Sequence, residues 1–197
     1  MTPHNDHRKP STLTDDVQPI APAEAAAVLR IASDLLAVAA HGQTNMGLKG
    51  KQLGLMCARD LLPEHNKPDG NKVQDRNDEG ESRDAALFRF AATRLGARVA
   101  RIRPRLSASC SGTELRRFAL MLGRFYDAVE CQGLSLDLVQ EIRAQAGVPV
   151  YFGLASAGHP TANLVVQLAG PASSGDKRLF VLQAALLRSL IQADAGL

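Results

Sequence analysis

Four short apolar runs, each separated from the next by a helical stretch, constrain the fold of this chain more than any other feature. Two strands joined through a helix of about 10 to 15 residues must pair in parallel, because a parallel strand can be rejoined only through a crossover. Such units build layered α/β domains with right-handed connections. We therefore predict an α/β fold, a single three-layer domain in which helices flank a four-stranded parallel sheet. The predicted strands are 52–57, 97–102, 126–131 and 148–152.

The segments between these runs carry apolar residues at helical spacing and have Pro, Ser or Gly near their ends. One more helix is expected after the Gly-, Pro- and Ser-rich segment 170–175, which should interrupt regular structure. The predicted helices are 23–40, 84–95, 113–125, 135–146, 160–168 and 178–193.

We divide the chain into three parts. Residues 1–20 are polar and contain proline, and we expect them to form a disordered tail. Residues 21–170 form the predicted α/β domain, in which the charged and Gly-containing stretch 63–82 should be a mobile loop. Residues 171–197 are expected to form a linker and a C-terminal helix that packs back on the same domain.

Composition excludes several classes of protein. A hydrophobic content of 45% and a charged content of 22% are typical of soluble globular domains. No run approaches the roughly 18 apolar residues that cross a bilayer, and the N-terminal segment lacks the apolar core of a secretory signal. We therefore expect a cytoplasmic protein with no membrane partner. The three cysteines Cys57, Cys110 and Cys131 indicate reduced thiols, and no motif predicts a metal or another cofactor.

Three short segments carry the most specific signal in the sequence. The chain reads LGRFYD at 122–127, AGVPVY at 146–151 and HPT at 159–161. In this order and at these separations they resemble the carbamoyl-phosphate-binding N-terminal domain of ornithine carbamoyltransferase, in the aspartate/ornithine carbamoyltransferase family. Weaker matches at 49–51 and 87–99 extend the resemblance over most of residues 22–168.

The resemblance implies a phosphate site at the start of the second helix. In the family, a Ser-Thr-Arg-Thr-Arg loop holds the phosphate there, because exposed amides and the helix dipole favour an anion. That loop falls on 81–85, which makes Ser82 and Arg83 the phosphate-binding candidates. Two acidic residues, Glu81 and Asp84, oppose such binding. At about 4 Å and an effective dielectric near 20, each pair of like unit charges repels by about 4 kcal/mol.

The resemblance places the rest of the site on two further segments. Gln132 stands where the family has an arginine that contacts the carbamoyl carbonyl, and Ala162 replaces the glutamine of a His-Pro-Thr-Gln motif. Gln132 and Thr161 are therefore implied carbamoyl-phosphate ligands, with His159 as a weak catalytic candidate that polarises a carbonyl oxygen. We favour local hydrogen bonding for His159 and a solvated side chain for Arg83, with the catalytic and phosphate-binding roles as alternatives.

The C-terminal segment carries a second family feature. In the family, an amino-acid-binding domain follows the His-Pro-Thr helix, and a final helix then returns to the first domain. Here the segment 172–175 leads directly to DKRLFVLQAALL at 176–187, which resembles that returning helix. The resemblance therefore implies that the amino-acid-binding domain, with its ornithine-binding residues, is deleted.

Three hypotheses for function remain open, and we lean towards a protein that is not an enzyme. The leading one is a catalytically degenerate, single-domain carbamoyltransferase relative that acts as an assembly or regulatory module, with a homotrimer implied by the resemblance. The alternative is a carbamoyltransferase component that binds carbamoyl phosphate, or another small anion, and needs a partner chain for the amino-acid site. The third is a polyanion-binding protein. Few aromatic residues and a net charge of +3 disfavour nucleic acid, although Arg98, Arg101, Arg103 and Arg105 form a basic cluster.

Overall fold

The computed structural model describes residues 19–58, 82–103 and 111–194. Strands and helices alternate through these residues, and the predicted α/β class with a four-stranded parallel sheet is confirmed. The elements are α1 (Pro22–Ala40), β1 (Gln52–Cys57), α2 (Arg83–Arg94), β2 (Arg98–Ile102), α3 (Gly112–Phe125), β3 (Ala128–Gln132), α4 (Leu136–Ala146), β4 (Val150–Phe152), a 3₁₀ helix (Pro160–Gln167) and α5 (Ser174–Asp194).

Several predictions lie outside the described residues. The predicted tail 1–20 does so apart from residues 19 and 20, and the predicted loop 63–82 does so apart from Ser82. Glu81, Arg105 and Cys110 are also outside.

The strands lie in the order β2-β1-β3-β4, all parallel. The chain moves in one direction from β1 to β2 and in the other from β2 to β3 and on to β4. Right-handed crossovers therefore place α2 on one face of the sheet and both α3 and α4 on the opposite face. In the central register, Leu55 of β1 lies opposite Glu130 of β3, which in turn lies opposite Tyr151 of β4.

Some element boundaries differ from the predicted ones for local reasons. β3 begins two residues after the predicted start because Tyr126 caps α3 and Asp127 accepts a hydrogen bond from the Gln52 amide at 2.7 Å. α5 begins four residues early because the Ser173 hydroxyl accepts a hydrogen bond from the Asp176 amide at 3.2 Å. Residues 160–167 form a 3₁₀ helix.

Each face of the sheet has its own core. The core under α3 and α4 is apolar, with Met56, Leu122, Val129 and Ile142 among its fully buried members. The core on the other face is larger and joins the sheet to α1, α2, α5 and the 3₁₀ helix. Cys131 belongs to the first core and Cys57 to the second, and neither forms a disulfide bond.

Helix α5 occupies the middle of the larger core. Every residue from Val181 to Leu187 is buried, because the helix is covered by α1, α2 and the 3₁₀ helix. Its C-terminal end is joined to the sheet by Lys51, whose Nζ lies 2.9 Å from Asp194 and 3.2 Å from Asp127. Among the described residues, none of the helices is both long and apolar enough to cross a bilayer.

Candidate functional site

The four strands end at Cys57, Ile102, Gln132 and Phe152, which lie along one edge of the sheet. We call this the carboxyl edge. Parallel sheets bind ligands at this edge because the loops and helix N-termini that follow the strands converge there. All five residues that the resemblance implied as site residues belong to segments that follow a strand or, for Gln132, end one.

Ser82 and Arg83 lie at the N-terminus of α2. Ser82 is the N-cap residue, and its hydroxyl accepts a hydrogen bond from the Ala85 amide at 3.2 Å. Both Ser82 and Arg83 are exposed, whereas Asp84, in the first turn of the helix, is half-buried. The hydroxyl implied as a phosphate ligand therefore serves the helix itself.

His159 and Thr161 are buried at the start of the 3₁₀ helix. His159 is its N-cap, and Nδ1 of the imidazole accepts a hydrogen bond from the Thr161 amide at 3.2 Å. The same nitrogen lies 2.9 Å from the Thr161 hydroxyl. A nitrogen that accepts from an amide carries no proton, so the neutral ring holds its proton on Nε2.

Arg178 of α5 reaches the same place, and sequence reasoning did not select it. One terminal nitrogen, Nη1, donates to the Thr161 hydroxyl at 3.0 Å. The other, Nη2, donates to the carbonyls of Leu154 at 2.9 Å and Ser156 at 3.0 Å. Its helical position was a usable signal, because Arg178 precedes buried Leu182 by one turn and so lies on the inward face.

Glu130 is the second site residue that the sequence reasoning missed. It is fully buried in the central strand β3, and strand alternation points it towards α2 and α5 because Val129 and Cys131 face the other core. The Gln132 amide donates to its Oε1, whereas Oε2 is buried and makes no hydrogen bond within the described part of the chain. The side-chain amide of Gln132, which the resemblance implied as a ligand group, therefore already donates to the carboxyl group of Glu130.

Burial sets the protonation of Glu130. Loss of hydration raises its pKa well above the usual range, opposed by the Gln132 amide and by the backbone amides of Ala155 and Leu154, while the nearby Asp84 adds to the rise. Burial therefore favours the protonated form of Glu130.

Burial and two carboxyl groups act in opposite directions on the pKa of Arg178. Burial lowers the pKa of Arg178, and the carboxyl groups of Asp84 and Glu130 oppose that shift. Arg178 is thus a half-buried cation whose charged form these two carboxyl groups favour.

The structure brings some of the implied residues together and leaves others apart. His159, Thr161 and Arg178 form one hydrogen-bonded group, and Gln132 pairs with Glu130. In the described ranges, neither Ser82 nor Arg83 hydrogen-bonds to either group. No three His, Cys, Asp or Glu side chains in those ranges lie close enough together to hold a metal ion.

Comparisons with known proteins bear on this geometry. No family model matches the chain. The catabolic ornithine carbamoyltransferase of Burkholderia mallei is 41% identical over 80 residues, which are 41% of this chain and 24% of that relative. The chain thus aligns with about a quarter of the length of the curated relatives it matches.

Solved structures show the fold. The ligand-free aspartate transcarbamoylase of Trypanosoma cruzi superimposes with a TM-score of 0.54 at 20% identity, over 79% of this chain and 44% of that one. The ornithine carbamoyltransferase of Pyrococcus furiosus gives 0.52 at 19% identity, over 74% and 40%. The predicted resemblance to ornithine carbamoyltransferase is therefore confirmed by sequence over 80 residues, and the solved structures show the same fold over about three quarters of the chain.

Proposed function

We propose that this chain is a catalytically degenerate, cytoplasmic carbamoyltransferase-like module that acts in assembly or regulation. One observation carries the proposal: apart from Arg83, the residues that the resemblance assigns to the site are hydrogen-bonded to the chain itself. Thr161 takes a hydrogen bond from Arg178, Gln132 donates to Glu130, and Ser82 caps α2. A ligand at this edge would have to replace these contacts, several of which are buried.

The electrostatics support the same proposal. An anion binds a helix N-terminus because the exposed amides and the dipole are positive. At α2 that position already carries Asp84, and one of the exposed amides is taken by Ser82. A phosphate dianion would therefore meet a carboxylate where the family fold offers it positive potential.

Ligand-dependent melting tests this proposal directly. A ligand that binds only the native state raises the melting temperature by mass action, so we expect carbamoyl phosphate at about 5 mM to cause no rise beyond that in sodium chloride of equal ionic strength. With ornithine also present, no citrulline should form. A clear rise together with citrulline would show that the site is active.

Assembly is the second part of the proposal, and we propose the homotrimer that the resemblance implies. Its support is a row of exposed apolar side chains on α3, where Leu120, Met121 and Phe125 are 46%, 42% and 65% exposed. Light scattering at micromolar concentration should give three times the chain mass of 21.0 kDa. Phe125→Glu should dissociate the trimer, and a strict monomer from the unsubstituted chain would contradict it.

A second candidate function has one specific observation in its favour. Val166, on the 3₁₀ helix beside the candidate site, is 88% exposed, as expected if another chain covers it. In that case a partner supplies the amino-acid site, and this chain contributes carbamoyl-phosphate binding. Citrulline formation that appears only when a partner fraction is added, and is lost in Val166→Asp, would favour this function.

The polyanion hypothesis finds less support in the geometry. Arg98 begins β2 and Arg103 directly follows it, so about 16 Å of strand separates their backbones. Arg101 lies three residues from Arg98 and so points to the opposite face of the strand. Binding of heparin or RNA that weakens with salt and with neutralised arginines would revive this hypothesis.

A further inference from the structure

A second surface, at the opposite edge of the sheet from the candidate site, combines positive charge with exposed apolar side chains. It is formed where the turn 46–49 packs against the end of α2, and the Leu48 amide donates to the Leu95 carbonyl there at 2.9 Å. Met46 and Phe90 are each 51% exposed, so two large apolar side chains of this surface face solvent. We call it the α2-end surface, and its members are Met46, Lys49, Phe90, Arg94 and Arg98.

The turn and the helix bring the apolar and charged members of this surface close together. A Cβ added to Gly96 would lie 2.9 Å from the methyl carbon of Met46 and 3.3 Å from the Cα of Lys49. The guanidinium of Arg94 lies 5.7 Å from the centre of the Phe90 ring, a cation–π contact that restrains both side chains. A partner that covers the apolar side chains would therefore also meet the cations.

The positive charge of the α2-end surface is not balanced within the described part of the chain. Lys49, Arg94 and Arg98 are exposed, and none of them takes part in an ion pair among the described residues. The segments 46–49 and 90–98, which form the surface, contain no Asp or Glu. A partner that covers this surface must therefore supply negative charge, because burying cations without a counter-charge costs free energy.

Two kinds of occupant fit this surface poorly. A small metabolite has little room, because the cleft that Arg94 shares with Gln43 and Asn45 has a volume of about 20 Å³, enough for about one water molecule. A second copy of the chain that docks through α3 would bring Arg117 and Arg124 towards these cations, and like charges repel. A protein segment that carries both carboxylates and apolar side chains matches both features of the surface.

We propose that the α2-end surface binds an acidic segment of a partner protein. In this complex, carboxylates of the partner contact the three cations, while an apolar side chain of the partner covers Phe90 and Met46. A nucleic-acid backbone would match the charge but leave these two apolar side chains without a partner. The proposal goes beyond the proposed function, because it depends on neither the carboxyl edge nor the exposed row on α3.

Fluorescence polarisation with a labelled peptide tests this proposal, and the probe is a short synthetic peptide of repeated Glu-Glu-Leu units. We expect it to bind the unsubstituted protein with a Kd of about 100 μM at low salt, and more weakly as added salt screens the charges. Arg94→Glu should weaken binding about tenfold, because it reverses a charge at the centre of the surface. Arg30→Glu makes the same change at an exposed position of α1 and should bind as the unsubstituted protein does.

Further probes separate the apolar contribution from the charge. A peptide of repeated Glu-Glu-Ser units has the same charge and should bind about tenfold more weakly, as should single-stranded DNA of equal charge. Phe90→Ser should weaken binding of the leucine peptide by a similar factor, and circular dichroism should show that the variants remain folded, because the substituted side chains are exposed.

Three results would overturn the proposal. The first is no binding of the leucine peptide to the unsubstituted protein. The second is equal binding by Arg94→Glu and Arg30→Glu, which would show that the peptide contacts another surface. The third is equal binding of the leucine peptide, the serine peptide and DNA, which would make the surface a general site for polyanions. The proposed function would stand in the first two cases, because its own tests use carbamoyl phosphate and light scattering.

Discussion

The two faces of the sheet differ in what they bury. Within the described residues, all six buried polar side chains lie on the α5 side: Glu130, Gln132, His159, Thr161, Gln183 and Ser189. The core under α3 and α4 is built from apolar residues and one cysteine. Burying a polar group costs free energy unless the group is hydrogen-bonded, so buried polar side chains are not needed to pack a core. The difference therefore places Gln132, His159 and Thr161, three of the residues that the resemblance implied as site residues, on the same side of the sheet as α5.

The largest expected effect tests the apolar face through packing alone. In Gly123→Ala, the new Cβ would lie 1.8 Å from the Ala146 carbonyl oxygen, so α3 and α4 would have to separate. We expect the free energy of unfolding in urea to fall by about 3 kcal/mol or more. Gly112→Ala, in the same helix with no described atom within 4 Å of its Cβ, is the control and should cost little.

The next prediction tests the polar face through pH. Because the pKa of Glu130 is raised in the folded protein, the unfolded chain ionises first, and stability from this group is present below the ordinary pKa of 4.5 and is lost as pH rises above it. Glu130→Gln removes that loss. Its stability relative to the unsubstituted protein should therefore rise as pH increases above the ordinary pKa of 4.5, by at most about 1.4 kcal/mol per pH unit, until Glu130 ionises in the folded protein.

Chemical denaturation at several pH values measures this difference. The exposed Glu141→Gln controls for the removal of one acidic group from the surface. A Glu130→Gln difference that stays flat with pH would mean that Glu130 is ionised in the folded protein.

A substitution of Arg178 should have a smaller effect on stability, and it tests the hydrogen bonds on the α5 side of the sheet. Arg178→Gln removes three hydrogen bonds that join α5 to the segment 154–161, and should lower the free energy of unfolding by about 2 kcal/mol. Lys177→Gln removes the neighbouring charge and has no such bonds to lose. Equal losses in the two variants would contradict a special role for Arg178.

The smallest expected effect concerns the buried contact between the Tyr151 and Ser189 hydroxyls, which joins β4 to α5. Tyr151→Phe should cost about 1 kcal/mol, because one hydrogen bond is lost and the ring stays in place. A double-mutant cycle with Ser189→Ala isolates the pair, and a coupling energy near zero would show that the contact contributes nothing to stability.

The fold could be predicted from the sequence because it depends on local signals. These are the alternation of apolar runs with helical stretches, and the Pro, Ser and Gly residues near their ends. The strand 52–57 was predicted at its observed boundaries, since its apolar run is bounded by polar and turn residues. The site could be predicted only in part. His159 and Thr161 carry a recognisable motif, whereas Arg178 binds residues 17 to 24 positions away in the chain and Glu130 is buried by distant elements. Glu130 in a strand and Arg178 on a helix look like surface residues until tertiary contacts bury them.

The position of α5 also determines the order in which the protein can mature. Synthesis proceeds towards the C-terminus, so α5 leaves the ribosome after every other described element. Leu53 and Leu55 in the central strand belong to the core that contains α5, and this core cannot be completed until the helix has emerged. The α3/α4 side needs no such late component and can condense earlier. In a nascent chain stalled before residue 174, the core on the α5 side of the sheet should therefore remain exposed. We expect such a chain to be cleaved readily by proteases and to bind chaperones.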